Sequence, residues 1–111
     1  MAKQKEASFR DRAMKFIRAL PNTWSVRIEQ QSVHGTPDCL ICMNGSFVAI
    51  EFKRSEKAPI TALQTYTLEK ISLAKGAAFI ACPENWEIIA SVLLQFAHGE
   101  VDLKTIQDTV S

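Results

Sequence analysis

The stretch from Gly35 to Lys53, GTPDCLICMNGSFVAIEFK, decides how this chain folds. Asp38 to Met43 is a short, almost wholly apolar run, and Ser46 to Lys53 is a second, with charges only at its far end. Between them stands Asn44-Gly45, a strong hairpin signal because both central positions of a type I′ turn require φ > 0. Closing a hairpin there sets the register by counting outward: Met43 faces Ser46, Leu40 faces Ala49, and Asp38 falls opposite Glu51. Paired side chains on one face have Cβ atoms about 4.5–5.5 Å apart, where like charges destabilise. Lys53, two residues beyond Glu51, shares its face. Two carboxylates and an ammonium therefore converge at one end of an apolar hairpin. A divalent cation between the acids would relieve their repulsion.

On the N-terminal side, residues 4–20 carry a helical stripe of Phe9, Ala13, Phe16, Ile17 and Leu20, with Arg10, Lys15 and Arg18 opposite and Pro21-Asn22 as the stop. Glu6 falls on the stripe rather than among the charges. Trp24 to Gln31 alternates as a strand, with Trp24, Val26 and Ile28 on one face and Arg27, Glu29 and Gln31 on the other. The connection to the hairpin holds Ser32, the loop histidine His34, and Gly35, which permits a special backbone conformation or a close approach. Pro37 cannot donate a ladder hydrogen bond and belongs before the strand or at its first residue.

On the C-terminal side, a polar loop from Arg54 to Pro59 precedes a helix over Ala62–Lys75. Thr61 and Gln64 fit a capping box, and Ile60, Leu63, Thr67, Ile71 and Ala74 form the stripe expected to be buried. Ala77 to Cys82 suits a strand buried on both faces. Pro83 opens a further helix through Phe96, with Ile89, Val92, Leu93 and Phe96 inward, and Asp102 caps a last short helix. The expected fold is α/β, a mixed central sheet of about four strands flanked by helices.

A chain of 111 residues makes one domain, spanning 1–111, and its 47% hydrophobic and 23% charged content is that of an ordinary globular protein. Neither a signal-peptide core nor a membrane-length apolar run is present, so a cytoplasmic location without membrane attachment is expected. Net charge is +1, but residues 1–60 hold ten Lys or Arg against six Asp or Glu, and residues 61–111 three against six. Such asymmetry suits local nucleic-acid contact or a solvated helix face, not a general basic coat. Cys39, Cys42 and Cys82 are an odd set, which points to free thiols. An offset of three puts Cys39 and Cys42 on opposite faces of a strand, so they cannot chelate one ion, and all three are read as buried small hydrophobes.

Glu6, Asp38, Glu51 and Lys53 call for a joint explanation. Oxygen ligands with no histidine or usable cysteine pair suit Mg²⁺, with Mn²⁺ as a substitute, rather than zinc. Mg²⁺ is commonly held by one or two carboxylates plus substrate phosphates. Lys53 could orient or deprotonate the attacking water, or stabilise charge on the phosphate. These parts assemble metal-assisted hydrolysis of a phosphodiester.

Pro37-Asp38, with Glu51-Phe52-Lys53 following thirteen positions after Asp38, resembles the signature of the PD-(D/E)XK nuclease superfamily. Ser32, Gly35-Thr36-Pro37-Asp38, the Gly45 turn, Ile50-Glu51-Phe52-Lys53 and Gln64 look like its VRR-Nuc group, close to archaeal-type Holliday-junction resolvases. The resemblance covers about residues 6–82 and implies a restriction-endonuclease-like core. It implies metal ligation by Glu6, Asp38, Glu51 and the Phe52 carbonyl, with Gln64 as an auxiliary residue. The loop ahead of Pro37 lacks the arginine-rich character of that group, which shifts DNA contact to Arg27, Ser32, Arg54 and Lys57. The expected function is a Mg²⁺-dependent endonuclease on branched or four-way DNA, working as a homodimer without a small-molecule cofactor and using apolar surface from the 84–110 region. The competing readings are a catalytically silent nucleic-acid-binding or assembly subunit on the same fold, and a nuclease acting on linear DNA ends or RNA.

Overall fold

The Asn44-Gly45 turn adopts φ of 50° and 76°, the left-handed pair that a type I′ hairpin needs. It joins β2 (Cys39–Met43) to β3 (Ser46–Phe52) in the register counted from the sequence, with Met43 against Ser46 and Leu40 against Ala49. The last ladder pair is Cys39 with Ile50, and one step further brings Asp38 opposite Glu51. The turn is also fastened from outside: Asn44 Nδ2 donates to the carbonyls of Phe96 and Ala97 at the end of α3 (Trp86–Ala97).

This computed structural model describes residues 2–30 and 32–110, with side chains from Ser8 onward. The element order is α1 (Ala2–Arg18), β1 (Thr23–Arg27), β2, β3, α2 (Ala62–Leu73), β4 (Ala77–Ala81), α3 and α4 (Leu103–Val110). The sheet runs β1-β2-β3-β4, with the first two pairings antiparallel and β3-β4 parallel. The expected mixed four-stranded sheet with flanking helices is thus the observed architecture.

Period-2 alternation divides the sheet into two unlike faces. One bears Cys39, Ile41, Met43, Val48, Ile50 and Phe52 and is covered by α1 and α3 through Phe9, Ala13, Met14, Ile17, Ile89 and Leu93. Edge-to-face ring contacts of 5.8–5.9 Å link Phe9 to Phe52 and Trp86, and Phe16 to Trp86. The other face bears Leu40, Cys42, Phe47, Ala49 and Glu51, and α2 lies on it.

Side-chain amides close the outer edge of β4. Gln107 accepts from the Ala78 N–H at 2.9 Å and donates to its carbonyl at 3.2 Å, while Asn85 donates to the Ile80 carbonyl and accepts from the Cys82 N–H. Satisfied in this way, the edge no longer invites a further strand.

Several expectations are corrected. β1 stops at Arg27, short of Gln31, which lies outside the described residues; Trp24 is exposed. The α2 stripe is not buried: no residue of that helix is, because α2 covers only part of its sheet face. Pro83 does not open α3, which starts at Trp86 after Asn85 has turned back to hold the end of β4. Cys42 is exposed, because its strand position faces away from the core that buries Cys39. Of the apolar residues in 84–110, Ile89, Val92, Leu93, Phe96 and Ile106 are buried, whereas Ile88 and Leu94 are exposed. Arg10 is half-buried rather than set among the exposed charges.

Candidate functional site

Asp38, just ahead of β2, is placed by its own backbone, whose carbonyl accepts from the Ile28 N–H at 2.8 Å. Its carboxylate reaches across to β3: Oδ2 accepts from the Phe52 N–H at 2.9 Å. Beyond Cys39 there is no strand left to pair with Phe52, and the acid takes the vacant ladder position. Within a strand the N–H and carbonyl of one residue point the same way. The Phe52 carbonyl therefore also faces the Asp38 side, as a backbone ligand would have to. The neighbouring Lys53 N–H turns the other way and donates to the Ala81 carbonyl of β4.

Glu51 emerges on the face under α2 and is only 4% exposed. Lys53 Nζ stands 3.5 Å from Glu51 Oε2, and Gln64 Nε2 donates to the same oxygen at 2.7 Å. Gln64 Oε1 accepts from Lys53 Nζ at 3.2 Å and from the Thr61 N–H at 3.0 Å, while the Gln64 N–H donates to Thr61 Oγ1. The capping box read from the sequence exists, and its glutamine also contacts both charged groups. One amide serves as helix cap and as bridge between acid and ammonium, so the structural and functional readings of Gln64 hold together.

The second carboxylate oxygen, Glu51 Oε1, is buried and has no hydrogen-bond partner among the described residues. Such a group costs roughly 1–3 kcal/mol or more when charged. Burial first, then the nearby Asp38 carboxylate, pushes the Glu51 carboxyl up from 4.5 to about 7; the Lys53 ammonium, and more weakly the Asp38 backbone N–H, work in the opposite direction. The acid is held where its ionised form lacks sufficient compensation. Burial likewise pushes the Cys39 thiol up to about 12, which leaves it inert as a nucleophile or metal ligand.

Comparison with protein-family models, with curated proteins and with solved structures finds no match. The site must be read from its own chemistry.

Asp38, Glu51, Lys53 and Gln64 are brought together, and the Phe52 carbonyl is turned toward them. Glu6 falls within α1, but its side chain lies outside the described residues. Among the described residues no cluster of three or more Asp, Glu, His or Cys could hold a metal ion. Asp38 and Glu51 supply two acids, and the orphaned Glu51 oxygen is an anionic donor of the hard kind that suits Mg²⁺ or Mn²⁺. The proposed DNA contacts are less uniform. Arg27 is occupied by Asp11 at 3.3 Å and Glu29 at 3.7 Å. Arg54 and Lys57 are exposed on the loop leaving Lys53, and Ser32 and His34 are exposed on the loop that leads to Asp38.

The sequence did not reveal the Asp38 bond to the Phe52 N–H. Its only signal was Pro37, which marks where the β2 ladder begins.

Proposed function

We propose that this chain is a divalent-metal-dependent endonuclease of the PD-(D/E)XK type acting on DNA, structure-selective for branched or four-way forms. The observation that carries this reading is Glu51: a buried carboxylate with one unpaired oxygen, beside a second acid and a lysine. A purely structural acid at this depth would be expected to have both oxygens satisfied. Asp38, Glu51 and the Phe52 carbonyl would hold Mg²⁺ or Mn²⁺, with Glu6 completing the set. The cation would polarise a phosphoryl oxygen and offset the charge of the acids. Lys53 orients the attacking water and stabilises charge developing on the phosphate. Gln64 fixes Lys53 and Glu51 relative to one another, and Arg54 and Lys57 contact flanking phosphates. A pair of chains would supply two such sites, one for each strand.

The test is purified protein with Mg²⁺ against linear, flapped, forked and four-way DNA, with a chelator control and an RNA duplex alongside. Metal-dependent cleavage of branched DNA supports the reading. Binding without cleavage in any metal would favour a catalytically silent subunit instead. No helix among the described residues is long and apolar enough to cross a membrane.

A further inference from the structure

The sheet face opposite the core carries two apolar rows. Ladder pairing aligns Trp24, Cys42 and Phe47 in one row across β1, β2 and β3, and Val26, Leu40 and Ala49 in the next. In the first row Trp24 is 68% and Phe47 45% exposed, and Cys42 is exposed as well. Beside these rows stands α2, none of whose residues its own chain buries: Leu63 and Tyr66 remain exposed, as does Ile60 just ahead of the helix. Close approaches fix the two surfaces side by side. A Cβ on Gly35 would lie 2.7 Å from Leu63 Cγ, and one on Gly76 would meet both Ile71 and Phe47. The chain thus presents an exposed Trp24–Cys42–Phe47 row, backed by a half-covered row that ends in the buried Ala49, with no charged side chain in either, and next to them exposed apolar side chains of the helix.

We propose that a second copy of this chain covers this face, the α2 stripe of each copy lying on the Trp24–Cys42–Phe47 row of the other. Each chain carries both halves of the missing helix-on-sheet contact. That self-complementarity is what a two-fold pair requires, where residue i meets j and j meets i. The area suffices: at roughly 150–250 Å² per aromatic side chain, the exposed parts of Trp24, Phe47, Ile60, Leu63 and Tyr66 leave on the order of 500 Å² in water. A standard interface takes about 800 Å² from each partner, the rest coming from its polar rim. This pairing deepens the two-copy part of the reading above, but mass in solution reports it whether or not the chain cuts DNA.

Sedimentation of the full chain at micromolar concentration tests it, with Trp24→Glu altering the sheet side and Leu63→Glu the helix side. Wild type sediments as a dimer, and each variant alone sediments as a monomer with an unchanged circular dichroism spectrum. Mixing the two variants restores association, because a mixed pair keeps one contact intact on both sides. Cys42 gives a second readout: a maleimide modifies it slowly in the concentrated wild type and rapidly in either variant. A monomeric wild type, or a dimer that neither variant disturbs, overturns the pairing. Failure of the mixture to associate overturns the helix-on-sheet arrangement.

Discussion

On the sheet face that carries Leu40 and Ala49, the row nearest the hairpin turn is apolar and exposed, whereas the far end is acidic, with Glu51 buried and Asp38 half-buried. Trp24, Cys42 and Phe47 stand in water; Asp38 and Glu51 are set four residues, about 13 Å, further along the same strands. The core face has no such inversion: its Cys39, Ile41, Met43, Val48, Ile50 and Phe52 are all apolar and buried. Folding alone would favour the opposite arrangement at both ends of the second face, since burying an acid and exposing a tryptophan each forgo stability. On the readings proposed above, a cation would offset the acidic end and a second chain would cover the apolar one.

The largest expected effect lies at the acidic end. Lys53→Ala should lower cleavage by about 10²–10⁴-fold, the range for removing a group that serves proton transfer or transition-state charge. DNA binding, followed in Ca²⁺ by fluorescence anisotropy, should stay within a few-fold. Normal turnover by this variant would remove Lys53 from the chemistry.

The next effect concerns the stability lost in burying Glu51. Folded, its carboxyl keeps its proton up to about pH 7; unfolded, it releases it near 4.5. Between these values unfolding sheds a proton, so this group's contribution to stability falls as pH rises from 4.5 and is fully lost above 7. Glu51→Gln, which mimics the protonated acid, should be more stable than wild type above pH 7 in chelator, by up to about 3 kcal/mol. The advantage should vanish below pH 4.5. Equal stability of both proteins at pH 8 would mean that the ionised acid is satisfied after all.

How much of this was legible in the sequence differs between the ends. Asn44-Gly45 gave the register, and with it the apposition of Asp38 and Glu51, because turn geometry and strand period are local rules. The Thr61–Gln64 box was equally local. What could not be read was coverage. The stripe Ile60, Leu63, Thr67, Ile71 and Ala74 has a buried helix's periodicity, yet periodicity does not say which chain does the burying. The amides of Gln107 and Asn85 on β4 were invisible because each depends on contacts set by the tertiary fold.

Smaller effects separate the ends further. Gln64→Ala should cost about 1–2 kcal/mol in chemical denaturation, since it removes one half of a capping box and leaves Glu51 Oε2 with Lys53 alone. A cost near zero would reduce its contact with Glu51 to coincidence. Trp24→Thr, measured on dilute monomer, should change stability by no more than about 0.5 kcal/mol. A larger loss would show that Trp24 packs within its own chain and that the contrast between the two ends is wrong.

The central claim is that Asp38 and Glu51 share a divalent cation, and thermal unfolding of wild type and Asp38→Asn, each in chelator and in excess Mn²⁺, tests it most directly. A cation that binds only the folded chain raises stability by mass action. Wild type should therefore gain several degrees in Mn²⁺ and Asp38→Asn little. In chelator the variant should match or exceed wild type by up to about 1 kcal/mol, because the like-charge contact is gone while the asparagine carbonyl can still accept from the Phe52 N–H. An Asp38→Asn protein stabilised by Mn²⁺ as much as wild type would show that the two acids do not hold one ion.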